Sequence, residues 1–257
     1  MRASLLPGLL AAARRNADRG ASASRLFEIG RRYLRAADGT SDEHATLGLV
    51  LAGEKSQRSW NGGKGRGFDA FDAKAEALAL LEAAGAPVAN LMVMGEAGAE
   101  FHPGQSATLR LGPKTMLARV GALHPRILKA FDINGPVAAA ELYLDAIPPR
   151  RGGRSFARPG YAPAALQPVT RDFAFLVRSD LAAGELVKAI RGADKQAIAE
   201  VRVFDVFAGP GVPEGHKSVA LEVVLQPGEK SFTDEGIRAI SDRIIASAAK
   251  LGGELRA

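Results

Sequence analysis

Residues 62–67 read GGKGRG, and glycines interspersed with cations are the composition of a loop that cradles phosphate on its backbone N–H groups. The spacing argues otherwise. No G-x-x-x-x-G-K-[ST] pattern is present, and Trp60 before the run with FDAFDAK after it suits a flexible strand-to-helix connection. Metal and thiol chemistry find no better footing. The chain lacks cysteine, which excludes disulfides, cysteine-ligated zinc and thiol nucleophiles. Its four histidines, His44, His102, His124 and His216, are scattered, none at metal-ligand spacing from another. His102 and His124 each precede a proline, in FHPGQSA and LHPRI, and read as turn histidines whose rings hydrogen-bond backbone.

Cationic chemistry remains. The 257 residues carry a formal charge of +6, unevenly spread: 22 Lys and Arg face 15 Asp and Glu in the first 159 residues, against 12 and 13 thereafter. Arg2, Arg14, Arg15, Arg19, Arg25, Arg31, Arg32 and Arg35 hold much of the excess, with a second group at Arg150, Arg151, Arg154 and Arg158. A phosphate-tracking surface and a set of solvated helix faces with a basic linker explain this equally well. No run of about 18 apolar residues occurs, and the N-terminus lacks the basic-then-apolar order of a secretory signal. We therefore read the chain as cytoplasmic, with no membrane partner.

The elements that must position these residues fall in two groups. IPPRRGGRSFARPGYAP, residues 147–163, is rich in Pro, Gly and Arg without periodicity, so it reads as a linker. We place domains at 1–148 and 163–257, joined by 149–162. In the first, Leu9, Leu10, Ala13 and Ala17 recur at helical spacing before Gly20; RLFEIGRRYL and HATLGLVLAG read as strands. A helix follows, starting near Asp69 or Asp72 and ended by Gly85, then strands in ATLRL, MLARVGAL and AAAELYLDAI with a short helix in LHPRILKAFDI. After the linker, the order is strand 171–178, helix 181–192, strands 199–208 and 217–226, a helix capped by Thr233, and an edge strand in GELR. This βαββαβ order predicts a ferredoxin-like four-stranded antiparallel sheet with both helices on one face. In LQPVTRDFAFLV, Pro168 fixes the chain direction, Arg171 and Asp172 mark the entrance as a partly exposed ion pair worth under about 1 kcal/mol, and the apolar run suits a central strand.

MRASLLPGLLAAARRN, RLFEIGRRY, FDAKAEALALL, FHPGQSATL, VGALHP, LQPVTRDFAF, FDVFAGPGVPEGHKSVALEVVLQ and SFTDEGI together resemble, in order and over nearly the whole chain, the C-terminal third of bacterial phenylalanyl-tRNA synthetase beta subunits. The resemblance implies an α+β chain: a degenerate class II synthetase-like antiparallel core without an active site, then a ferredoxin-fold anticodon-binding domain. It further implies a catalytic alpha partner in a two-alpha, two-beta assembly that charges tRNA(Phe) with ATP and Mg2+, both used by alpha and neither bound by this chain. Met1 stands where that family has an internal position, so the chain is expected to be a fragment or a shortened form. Working class II sites use an arginine and an acid two apart after the strand resembling LFEIGRRY; here those places hold Leu34 and Ala36. Arg31, Arg32 and Arg35 remain candidate phosphate contacts. Gln105 stands where the family often has arginine.

No catalytic residue is expected. The site that the resemblance implies is an anticodon site, in which an acid and an aromatic of the second strand, with a serine opening the third, meet the first anticodon base. The matching residues are Asp205 and Phe207 in FDVF and Ser218 in HKS, with His216 and Lys217 as candidate phosphate contacts. Two apart on a strand, Asp205 and Phe207 share a face. A ring there offers stacking worth about 1–3 kcal/mol, and a carboxylate can accept from guanine N1–H and N2–H₂, which suits a GAA anticodon. Tyrosine is common in the family at 207, so a bond through a phenolic oxygen is lost here. The residues alone leave a second reading, with Phe207 an inward core ring beside Val203. The alternatives at the level of the whole chain are an independent RNA-binding or regulatory protein built from these domains, and a stand-alone class II enzyme.

Overall fold

The computed structural model describes residues 2–149 and 164–256, and the chain divides into two compact units, Met1–Ser155 and Phe156–Ala257. Of the expected 149–162 linker only Pro149 is among the described residues, and Arg150, Arg151, Arg154 and Arg158 lie outside them.

The first unit runs α1 (Leu6–Asp18), β1 (Ala23–Arg35), β2 (Ser41–Ser56), β3 (Arg66–Gly67), α2 (Ala70–Ala83), β4 (Met92–Met94), β5 (Phe101–Leu111), β6 (Thr115–Leu123), α3 (Pro125–Ala130) and β7 (Val137–Tyr143). Its antiparallel sheet has the order β1-β2-β7-β6-β5-β4, with β3 added to β2. β7 lies at the middle, and VAAAEL is buried throughout because helices cover both faces. Ala138, Ala140 and Leu142 join Leu47, Leu49 and Leu51 under α2, whose Ala73, Ala77 and Leu81 face them. Val137 and Ala139 join Val50, Phe101 and Leu128 with the Leu6, Leu9, Leu10 and Ala13 face of α1. Glycine permits that second approach: a Cβ on Gly48 would stand 2.9 Å from Leu5 Cβ.

The caps follow the sequence closely. Asp69 is the N-cap of α2, accepting from Phe71 N and Asp72 N while the Asp72 carboxylate accepts from Asp69 N, a reciprocal capping box. Three readings need correction. Ala17 is exposed, because the helix face has turned from the sheet by the last turn of α1. AAAELYLDAI stops being strand at Tyr143, where a 3₁₀ turn, Leu144–Ala146, takes over. β4 was not expected, since three exposed residues, Met92–Met94, show no usable alternation.

A buried ion network ties α1 to the sheet. Glu141 on β7 is fully buried and accepts from Ser4 Oγ at 2.6 Å, Leu5 N at 2.9 Å and Arg119 Nη2 at 2.7 Å. Arg119 on β6 also donates to Glu100 at 2.7 Å. Burial works against its charge, yet the neighbouring Tyr143, Glu141 and Glu100 more than offset that and raise its pKa.

The second unit runs β8 (Val169–Arg178), α4 (Ala183–Ala193), β9 (Ile198–Phe207), β10 (His216–Leu225), α5 (Asp234–Ala249) and β11 (Glu254–Leu255), in the antiparallel sheet order β11-β8-β10-β9. Phe173, Phe175 and Val177 alternate inward with Val219, Leu221, Val223 and Leu225 against Leu186 and Ile190 of α4 and Ile240, Ile244 and Ala248 of α5. Both helices thus cover one face. Thr233 caps α5 by accepting from Gly236 N at 3.1 Å. The expected Arg171–Asp172 ion pair does not form: successive side chains on a strand point to opposite faces, and Arg171 donates to Thr170 O instead.

Candidate nucleic-acid interface

Plain alternation along β9 would put Asp205 and Phe207 under the helices, because Val201 and Val203, also odd-numbered, pack there. A bulge prevents this. Val203 pairs with Leu221, but Asp205 pairs with the very next residue, Ala220, so Phe204 is extra and the alternation flips beyond it. Phe207 then pairs with Ser218, and cross-strand partners share a face. Since Val219 and Leu221 point into the core, Ser218 and Ala220 point the other way, and Asp205 and Phe207 with them. The helix-free face therefore brings Asp205, Phe207 and Ser218 together.

The three differ in access. The Phe207 ring is 41% exposed and rests against the backbone of Gly209, where a Cβ would stand 2.8 Å from Phe207 Cζ. The inward-ring reading is thereby excluded. Asp205 is exposed, with no side-chain hydrogen bond or ion pair among the described residues. Ser218 is only 6% exposed, lying between Leu176 of β8 and Phe207 of β9, so its hydroxyl is far less accessible than the ring or the carboxylate. Of the flanking cations, His216 shares the parity of Ser218, and its Nδ1 lies 3.1 Å from Glu214 O. Lys217 has the opposite parity and donates to Ser179 O at 2.8 Å, so it does not join the trio. Further along the same face Arg202 pairs with Glu222 at 2.9 Å. Asp172, Glu200 and Asp205 share this face with that pair, so the surface is not cationic.

Two apolar neighbours escaped sequence reasoning. Phe204 and Val206, like Phe207, are exposed on the edge strand β9, Val206 on the helix side, because it pairs with the core-facing Val219. A sheet face offering an unpaired carboxylate beside a bare ring can stack a base and accept from its edge.

In the first unit, both proline-preceding histidines bond backbone as expected. His102 Nδ1 accepts from Gly104 N and His124 Nδ1 caps α3 by accepting from Arg126 N, each at 3.1 Å. Among the described residues no three His, Asp or Glu side chains converge on a position that could hold a metal. No helix among them is long and apolar enough to cross a membrane.

Residues 1–144, more than half of the chain, match the family described as phenylalanyl tRNA synthetase beta chain CLM domain. The chain belongs to that family. Residues 164–256 of this synthetase beta-chain member match the ferredoxin-fold anticodon binding domain, in keeping with the sheet order of the second unit. The phenylalanine–tRNA ligase beta subunit of Novosphingobium aromaticivorans is 64% identical over 100% of the chain, which covers 32% of that protein. The Zymomonas mobilis subunit of the same name is 54% identical, with the same shares. The chain thus spans about a third of the length of these relatives. Pyrrolysyl-tRNA synthetase from Desulfitobacterium hafniense superposes with a TM-score of 0.41 at 21% identity, over 56% of this chain and 47% of that one, too slight a likeness to argue from.

Proposed function

We propose that the chain is the part of a phenylalanine–tRNA ligase beta subunit that binds the catalytic alpha subunit and reads the tRNA(Phe) anticodon. On this reading, residues 163–257 are the anticodon domain, and residues 1–148 are a class II-like core that has lost its chemistry. The assembly holds two copies of each subunit and works in the cytoplasm. Its ATP and Mg2+ belong to alpha. Leu34 and Ala36 stand where a nucleotide site would need an arginine and an acid, and among the described residues no acidic cluster converges on a metal position.

The observation that carries the reading is the placement of Asp205 and Phe207 beside Ser218 on the helix-free face. Phe207 stacks on the first anticodon base while Asp205 accepts from its Watson–Crick edge. Because the face is not cationic, stacking and edge contacts, rather than phosphate attraction, are the main contribution, so the chain alone binds tRNA weakly. The test is aminoacylation by alpha mixed with this chain, using tRNA(Phe) transcripts with each base at the first anticodon position. A complex that charges the guanine transcript best, and loses that preference in Asp205→Ala, supports the reading. RNA binding that persists without alpha and ignores the anticodon would favour an independent RNA-binding protein instead.

A further inference from the structure

The first unit holds a cavity of about 690 Å³ past the N-terminus of α1. Arg32, His44, Tyr143, Asp145, Arg119 and Glu100 line it together with the apolar Leu34 and Met116. β1, β2 and β7 bring the first of these together: Arg32 pairs with His44, and Thr46, two residues on, pairs with Tyr143. The guanidinium carbon of Arg32 lies over the Tyr143 ring, 4.2 Å from its centroid. It forms no ion pair with any described residue, and its Nε is buried without a protein acceptor. Arg119 is different, both its terminal nitrogens being held by Glu100 and Glu141, although its Nε also lacks an acceptor. A planar cation held over a ring face, with its terminal donors unused, suits bidentate recognition of an oxyanion.

The other charges narrow the ligand. Glu100 and Asp145 line the cavity and Glu141 lies behind Arg119, so a polyphosphate would meet three carboxylates for one free guanidinium. Asp145 is tied down rather than neutralised: it accepts from Ala45 N at 2.7 Å and lies 3.8 Å from His44 Nδ1. A single carboxylate carried with an ammonium fits both signs, and Leu34 and Met116 give an apolar side chain somewhere to lie.

We propose that this cavity binds a small apolar α-amino acid, its carboxylate on Arg32 and its ammonium against Asp145 and Glu100. The proposal concerns a different unit from the anticodon site and does not depend on that reading. Isothermal titration of the 257-residue chain with L-leucine, 4-methylpentanoate and 3-methylbutylamine tests it, since the last two each lack one charged group. The expected result is saturable binding of leucine, with both analogues weaker by about tenfold or more, the loss of one charge-assisted interaction. Arg32→Gln should abolish binding while leaving the circular dichroism unchanged. Asp145→Asn should weaken leucine but not 4-methylpentanoate, and because Asp145 is largely exposed this variant decides the matter if Arg32→Gln fails to fold. No saturable binding, equal binding of leucine and 4-methylpentanoate, or leucine affinity unchanged by Asp145→Asn or by folded Arg32→Gln would overturn the proposal.

Discussion

The position of the Phe207 ring can be perturbed without removing it. Gly209 lies directly against it, and an alanine Cβ there would stand 2.8 Å from Cζ, 3.2 Å from Cε2 and 3.4 Å from Cε1. Contact distances between carbons are about 3.5–4.0 Å, so the ring must retreat by roughly 1 Å. It is the far end of a side chain that is 41% exposed, so the fold gives way at little cost, below about 1 kcal/mol. On the proposed function, a base stack worth about 1–3 kcal/mol is then partly lost, a roughly two- to tenfold rise in Kd, whereas Phe207→Ala loses all of it, about 5- to 150-fold. Fluorescence anisotropy of a labelled anticodon stem-loop would read both, and thermal melts would read the stability of both variants. Phe207→Ala should lower stability by less than about 2 kcal/mol, against roughly 3–5 for a buried ring. A change in affinity of less than about twofold for Phe207→Ala would refute stacking. An effect of Phe207→Ala with none from Gly209→Ala would refute the idea that Gly209 sets the ring's position.

Three stability predictions follow from the first unit. Glu141→Ala strands Arg119, Ser4 Oγ and Leu5 N in a buried site and should cost about 3–5 kcal/mol in urea unfolding, with under about 1 kcal/mol counting against the network. Circular dichroism should follow it, because Trp60, the sole tryptophan, is 98% exposed and a poor reporter of folding. Hydrogen bonds from Arg66, and then from Lys55, hold the Asp72 carboxyl well below the usual carboxylate range despite its burial. A lowered folded pKa stabilises at neutral pH and is lost on acidification, so below about pH 4 the native chain should lose stability more steeply than Asp72→Asn; parallel pH profiles would contradict this. Gly53 has φ +81°, and a Cβ there would lie 2.1 Å from Ser22 O, so Gly53→Ala should lower stability by about 2 kcal/mol or more in thermal melts, and an unchanged midpoint would show that the β1–β2 pairing relaxes freely.

Local chemistry made much of this fold legible in the residues. Asp69, Gly85 and Thr233 mark helix ends because capping and positive φ are properties of a few residues in one place. The βαββαβ order in the second half needed only the change from twofold to helical periodicity. Lone charges inside apolar strands, Arg119 in MLARVGAL and Glu141 in AAAELYL, were a signal that each needs a partner, but which partner depends on β6 lying beside β7. The free guanidinium of Arg32 was equally hidden among eight N-terminal arginines until the sheet laid it on Tyr143. The face that carries Asp205 and Phe207 shows the division most sharply. Their spacing of two puts them on one face of any regular strand. Which side they stand on is a matter of parity counted from the core, and one inserted residue, Phe204, reverses it. A bulge is a mismatch between two strands, so it exists only once β9 and β10 have paired.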